Sequence, residues 1–186
     1  MGNRLTAWLA EPWTAGQAIV YGTLAVAVLD GLAAIITAGL RGTAPPRLFQ
    51  GIAFGLLGRD TYTGGAATAL LGLALHFIVA LGVVSIYLAV SRAIPALAQR
   101  PLLYGPLYGI AAFFVMNYAV IPLSVIGRVI VQWPGAVQGL LIHALVVGPP
   151  AAMAAAKACA DRAPSAVERS QPAPLVSPSN GPANRA

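Results

Sequence analysis

Four stretches of this chain are as long and as apolar as a bilayer-spanning helix requires, roughly 20 residues each, and no other feature restricts the fold so severely. The first covers about residues 17–40 and is interrupted only by Asp30. The second, about 66–90, contains His76; the third, about 102–126, contains Asn117 and Pro122; the fourth, about 135–157, contains His143 and the Pro149–Pro150 pair. Hydrophobic residues make up 58% of the 186 and charged residues 9%, against roughly 45–50% and about 25% in soluble domains. Mean hydropathy is +0.77. So few charges cannot cover the surface of a soluble protein of this length, so the bilayer must solvate much of it. The expected fold class is all-α, a polytopic membrane protein.

The remaining segments refine that expectation. Residues 1–16 form an N-terminal interfacial segment. They lack the form of a signal peptide, because the apolar run that follows is too long, contains Asp30 and precedes further spans. Between the first two spans, Pro45 and Pro46 suit a helix start. Leu48, Phe49, Ile52, Ala53, Leu56 and Leu57 then recur at helical spacing before Gly58. A short helix over about 46–58 is expected, too short to span, lying in the interface or folded against the bundle. Pro149 and Pro150 remove helical hydrogen bonds to the carbonyls near Leu145 and Val146, which predicts a kink there. Residues 159–186 turn rich in Pro, Ser, Ala and Asn and are expected to be a disordered tail.

Charge and cysteine content exclude several classes. The net charge of +6 is not that of a nucleic-acid binder, because the eleven Lys and Arg are scattered between apolar segments without a basic face. They set topology instead. Arg4, Arg92, Arg100, Lys157, Arg162, Arg169 and Arg185 share one side; Arg41, Arg47, Arg59 and Arg128 share the other. Seven against four places both termini inside. Trp8, Trp13 and Trp133 flank spans as interfacial anchors do. A single cysteine, Cys159, excludes an intramolecular disulfide and any multi-cysteine metal site.

The two halves of the chain resemble each other. Tyr21-Gly22 is followed by Asp30 and Arg41 at the spacings at which Tyr108-Gly109 is followed by Asn117 and Arg128. Gly72-Leu73-Ala74-Leu75-His76 resembles Gly139-Leu140-Leu141-Ile142-His143, and these are the only two histidines. A competing register pairs Pro46…Gln50-Gly51 with Pro134…Gln138-Gly139. On the histidine register, each half is a helix hairpin, the first carrying the short helix as an insertion, and the copies repeat in the same orientation. Asp30, His76, Asn117 and His143 then fall within about 5 Å of each other in bilayer depth at 1.5 Å rise per residue.

Polar groups at that depth cost roughly 2.5–3.5 kcal/mol each when charged, so they face the bundle interior. Asp30 shares a face with Thr23, Ala27, Ala34 and Thr37; His76 shares one with Gly72, Ala80 and Val83. The GxxxG pairs Gly105/Gly109 and Gly135/Gly139 permit close helix approach. Pro122 frees the carbonyl of Tyr118, beside Asn117. The binding-site expectation is therefore a layer of Asp30, His76, Asn117 and His143. On one reading it only fixes helix register. On a second it binds a proton or small solute, with a homo-oligomer or a membrane-protein partner needed to complete a pathway. No cofactor is expected; the alternative is a haem ligated by the two histidines in a membrane redox subunit. No Ser/His/Asp spacing, HExxH or phosphate-binding loop marks an enzyme, and Arg59, Asp60, Thr61, Tyr62 and Thr63 read as a solvated turn rather than a surface site.

The run Gly51-Ile-Ala-Phe-Gly-Leu-Leu-Gly58, the histidine motif at 72–76 and its counterpart at 139–143 resemble small bacterial four-helix inner-membrane proteins of unknown function, distantly the YagU-like proteins. The likeness covers about residues 51–150. It implies a bacterial inner-membrane setting and transfers no mechanism.

Overall fold

The computed structural model describes residues 11–127 and 133–160. The first ten residues, Arg128 and the expected tail beyond Ala160 lie outside the described residues. Every regular element among the described residues is helical. In chain order these are α1 (Ala15–Gly39), α2 (Pro45–Leu57), α3 (Gly65–Ala93), α4 (Pro95–Gln99), α5 (Pro101–Leu123) and α6 (Trp133–Ala158), with a 3₁₀ turn at Gly58–Tyr62. The helices α1, α3, α5 and α6 are long and apolar enough to cross a membrane. They begin and end within three residues of the four apolar stretches.

Local signals explain the starts. Thr14 and Gln17 form a capping box: Thr14 Oγ1 accepts from the Gln17 N–H at 3.2 Å, and Gln17 Oε1 accepts from the Thr14 N–H at 2.9 Å. The two side chains thus satisfy amides that the first turn leaves free. Helices α2, α4 and α5 each begin with proline in the first turn, where its missing N–H costs nothing.

The interior is built from small residues. Ala18, Ala27, Ala80, Ala151, Ala152, Ala154 and Ala155 join Val26, Val84, Tyr87, Leu88 and Val147 in the buried cluster. Leu24, Leu32, Ile36, Leu70, Ile78, Ile86 and Leu145 are exposed. Large aliphatics outside and alanine inside is the arrangement expected where the surrounding solvent is hydrocarbon and close van der Waals contact holds the helices together. At Gly105, Gly109 and Gly148 the backbones of α5 and α6 approach so closely that a Cβ would strike backbone atoms of the facing helix. Of the two GxxxG pairs, Gly105/Gly109 works in this way, and Gly139 abuts the ring of Phe113, whereas Gly135 touches nothing.

Proline shapes both α5 and α6. Each contains one π-helical turn, Met116–Val120 before Pro122 and His143–Val147 before Pro149. The Ile121 amide donates to the Met116 carbonyl and the Gly148 amide to the His143 carbonyl, five residues back. A proline ring crowds the carbonyl four residues before it and offers no N–H. A widened turn accommodates that crowding without ending the helix. The chain thus meets the Pro149–Pro150 pair with a π turn just ahead of it, and α6 runs on to Ala158.

Helix α2 is folded against α3. The Thr61 hydroxyl, fully buried, donates to the Gln50 carbonyl at 3.1 Å. Gln50 Nε2 donates to the Gly65 carbonyl at 3.0 Å, and Thr68 Oγ1 donates to the Thr61 carbonyl at 2.6 Å. Thr61 is therefore part of a structural clamp, not of a solvated turn. Arg47 stacks its guanidinium 3.6 Å over the Tyr62 ring. The far end of α2 reaches the turn after α5, where the Val125 amide donates to the Gly55 carbonyl at 2.9 Å.

Candidate functional site

Near the ends that carry Arg41 and Trp133, α6 stands away from α1, and α2 fills part of the gap. A partly open cavity of ≈ 300 Å³ lies at this divergence. Its walls come from α1 (Val26, Asp30, Ala34), α2 (Leu48, Ile52), α3 (His76, Val79, Ala80, Val83), α5 (Ala112, Met116) and α6 (His143, Val147). Three of the four polar residues singled out in the sequence, Asp30, His76 and His143, line this one space.

The hydrogen bonds of the histidines decide what each ring presents. His76 Nε2 lies 2.9 Å from the Ala27 carbonyl of α1. A carbonyl only accepts, so Nε2 carries the hydrogen. His76 Nδ1 then faces Asp30 Oδ2 at 3.9 Å, close enough for an ion pair and too long for a direct hydrogen bond. The two side chains are only 11% and 23% exposed. A lone pair on Nδ1 opposite an ionised carboxylate would bring two acceptors together in a poorly solvated place. A donor placed between the two groups relieves that conflict.

His143 is fixed in the complementary sense. Its Nδ1 lies 2.9 Å from the Gly139 carbonyl, one turn back on its own helix, so Nδ1 is the donor and Nε2, at the far end of the ring, is left as acceptor. Phe113 packs edge-on against this ring with centroids 5.5 Å apart, and Phe49 of α2 packs edge-on against His76 at 6.4 Å.

Asn117 does not join the other three. Its amide turns back along α5 and donates to the Phe113 carbonyl at 2.9 Å, and the cavity is lined on that helix by Ala112 and Met116. Packing register is the reason. In the first hairpin Gly22 faces Val84, and Gly31 faces His76. In the second, Gly109, which corresponds to Gly22 in the sequence match, faces His143 itself, and Gly105 faces Pro149. The second hairpin is therefore slid by about two turns relative to the first, which carries Asn117 past His143 towards the Trp133 end of α6. Equal spacing within each helix did not guarantee equal pairing between helices.

Leu48 and Ile52 were not expected in the site. Their helical spacing was visible, but nothing in it distinguished a face turned to a cavity from one turned to lipid. The carbonyls of Ala27 and Gly139, which fix the histidine tautomers, carry no sequence signal beyond their position near the histidines.

No group of three or more His, Cys, Asp and Glu side chains among the described residues is arranged to hold a metal ion. For a haem iron, His76 would have to give up the Ala27 carbonyl or approach through the nitrogen that faces Asp30. Fold and cavity together define a class: a helical, multi-pass membrane protein with a partly open cavity bearing a carboxylate and two imidazoles. Comparison with protein-family models, with curated proteins and with solved structures finds no match to this chain.

Proposed function

We propose that this is a proton- or small-solute-binding protein of a bacterial inner membrane, working through the proton shared by Asp30 and His76. The observation that carries the reading is the tautomer of His76. The Ala27 carbonyl commits Nε2 to donating, which turns Nδ1 towards the Asp30 carboxylate at 3.9 Å, so that the two facing acceptors offer a place for a proton or another donor. His143 supplies a second acceptor in the same cavity. A histidine exchanges its proton readily under physiological conditions, and an ionisable group inside a membrane domain is a functional candidate by default.

The setting rests on further readings of our own. The excess of Lys and Arg on the side of the termini places both in the cytoplasm. Helix α2, amphipathic and bounded by Arg47 and Arg59, sits near the opposite membrane surface with its apolar side turned to α3 and the cavity. The hairpins are divergent copies of one unit, supported by the matched positions of Gly22 and Gly109 at close helix contacts, and their packing registers have since moved apart.

The test is ¹⁵N NMR of histidine-labelled full-length protein in micelles. In the wild-type protein His76 Nε2 is expected to be protonated, and Nδ1 to show the shift of a nitrogen that shares a proton. Asp30→Asn removes the partner acid and should convert Nδ1 to a plain lone pair or to a simple acceptor from the amide. If Nδ1 is the same in both proteins, the shared proton does not exist and the polar layer serves only to fix the helices. A Soret band in the purified protein would move the reading to a haem-binding redox subunit.

A further inference from the structure

We infer that the cavity takes a primary ammonium group carried on a short apolar body, in exchange for the proton held by Asp30 and His76. The inference rests on the reading of that pair as a one-proton site and adds the class of ligand.

The polar side-chain atoms facing the cavity are of one kind. Both imidazoles spend their only N–H on backbone carbonyls, His76 on Ala27 and His143 on Gly139. What remains is the Asp30 carboxylate, His76 Nδ1 and His143 Nε2, and all three are acceptors. The other ten lining residues are Ala, Val, Leu, Ile and Met, so among the described residues the lining contains no Lys, Arg, Ser, Thr, Asn, Gln, Tyr or Trp to donate. An anion would meet a carboxylate and no donor. A sugar or polyol, which needs both donors and acceptors, would leave its own oxygens unsatisfied at a cost. A bare divalent cation needs ligands at about 2 Å, and the three groups do not converge to that extent. An –NH₃⁺ group has three donors and no acceptor. It is satisfied at about 2.8–3.0 Å from each partner, a longer reach than a metal ion allows, and the three acceptor-bearing residues line one cavity. The apolar walls then suit the hydrocarbon attached to it.

Charge balance explains the exchange. With its proton, the Asp30–His76 pair is electrically neutral as a unit. An arriving ammonium would add an uncompensated positive charge to a poorly solvated space. If the shared proton leaves as the ammonium enters, one positive charge replaces another and the total is unchanged. The ionisable groups facing the site are Asp30 from α1, His76 from α3 and His143 from α6; α2 and α5 contribute only Leu48, Ile52, Ala112 and Met116. A proton bound at any of these groups competes with the ammonium for the same lone pairs.

The experiment is isothermal titration of full-length protein in non-ionic micelles with n-hexylammonium, with 1-hexanol and hexanoate as controls against empty micelles. Saturable binding of the amine alone is expected, weakening as the pH is lowered. Repeating it in buffers of different ionisation enthalpy should show one proton released per amine bound, a measurement on the wild-type protein that needs no variant to fold. Asp30→Asn is expected to weaken binding by about tenfold or more, since the bond lost is to a charged group, and Asn117→Ala to leave it unchanged. Equal uptake of hexanol and hexylammonium, binding indifferent to pH, or no proton release would overturn the inference. If those failures occur while the His76 signature of a shared proton is present, the amine falls and the proton site stands; if the signature is absent, both fall.

Discussion

Glycine at positions 72, 109 and 148 stands where alanine is intrinsically the better helix former, and each is held there by a neighbouring backbone. A Cβ at Gly72 would strike the Phe49 carbonyl of α2; at Gly109, the carbonyl of His143; at Gly148, the carbonyl of Gly105. Backbone cannot rotate aside as a side chain can, so Gly109→Ala must push α5 and α6 apart, at about 1–3 kcal/mol or more. Gly82 of α3 has nothing within 4 Å of an added Cβ, and Gly82→Ala is expected to stabilise by up to about 1 kcal/mol. Thermal unfolding in micelles followed by circular dichroism distinguishes the two, and a neutral Gly109→Ala would mean the contact is loose. At this scale the sequence was informative about Asp30 and His76, because small and polar residues on one face of each helix indicated an inward side. It misled at Asn117, because spacing along a helix carries no information about how far its partner has slid. That offset is decided by Gly105, Gly109 and Gly148 seating on the opposite backbone.

Helix α2 is the element whose role depends most on contacts distant in sequence. Its hold on α3 runs through Thr61, whose hydroxyl satisfies the Gln50 carbonyl in a fully buried place. Thr61→Val keeps the shape and removes the donor; the Gln50 carbonyl retains its helical bond within Pro45–Leu57, so the loss is that of one hydrogen bond, about 0.5–1.5 kcal/mol. Hydrogen exchange should show the amides of Pro45–Leu57 opening faster while those of α1 and α6 are unchanged; uniform loosening of all helices would show that the clamp is not local. The four spans were legible to within three residues because bilayer thickness demands a length and an apolarity that few other constraints reproduce. The π turns in α5 and α6 were not. Proline announces that a helical hydrogen bond is missing, but whether the chain kinks or widens depends on the neighbours that Met116–Val120 and His143–Val147 pack against. The apolar face of α2 was equally plain in the sequence, and its target was not.

For the molecule as a whole, the Trp13 amide donates to the Lys157 carbonyl at 3.1 Å, which joins the start of the first span to the end of the last. An even number of crossings puts these two ends on the same side, as this bond needs. Gln99→Cys and Ala44→Cys, each introduced in a Cys159→Ala background, should therefore react with a membrane-impermeant maleimide from opposite sides, Gln99→Cys from the cytoplasm; labelling of both from one side would exclude four crossings. The bundle also tapers. Where Gly105 meets Gly148, four helices close on alanine and glycine. Towards Arg41 and Trp133, α2 adds a fifth helix, the cavity opens, and a shallow groove between α1 and α6 is bridged at its rim by Arg41 donating to Gln138 at 2.8 Å. A body of that outline displaces more lipid from one leaflet than from the other.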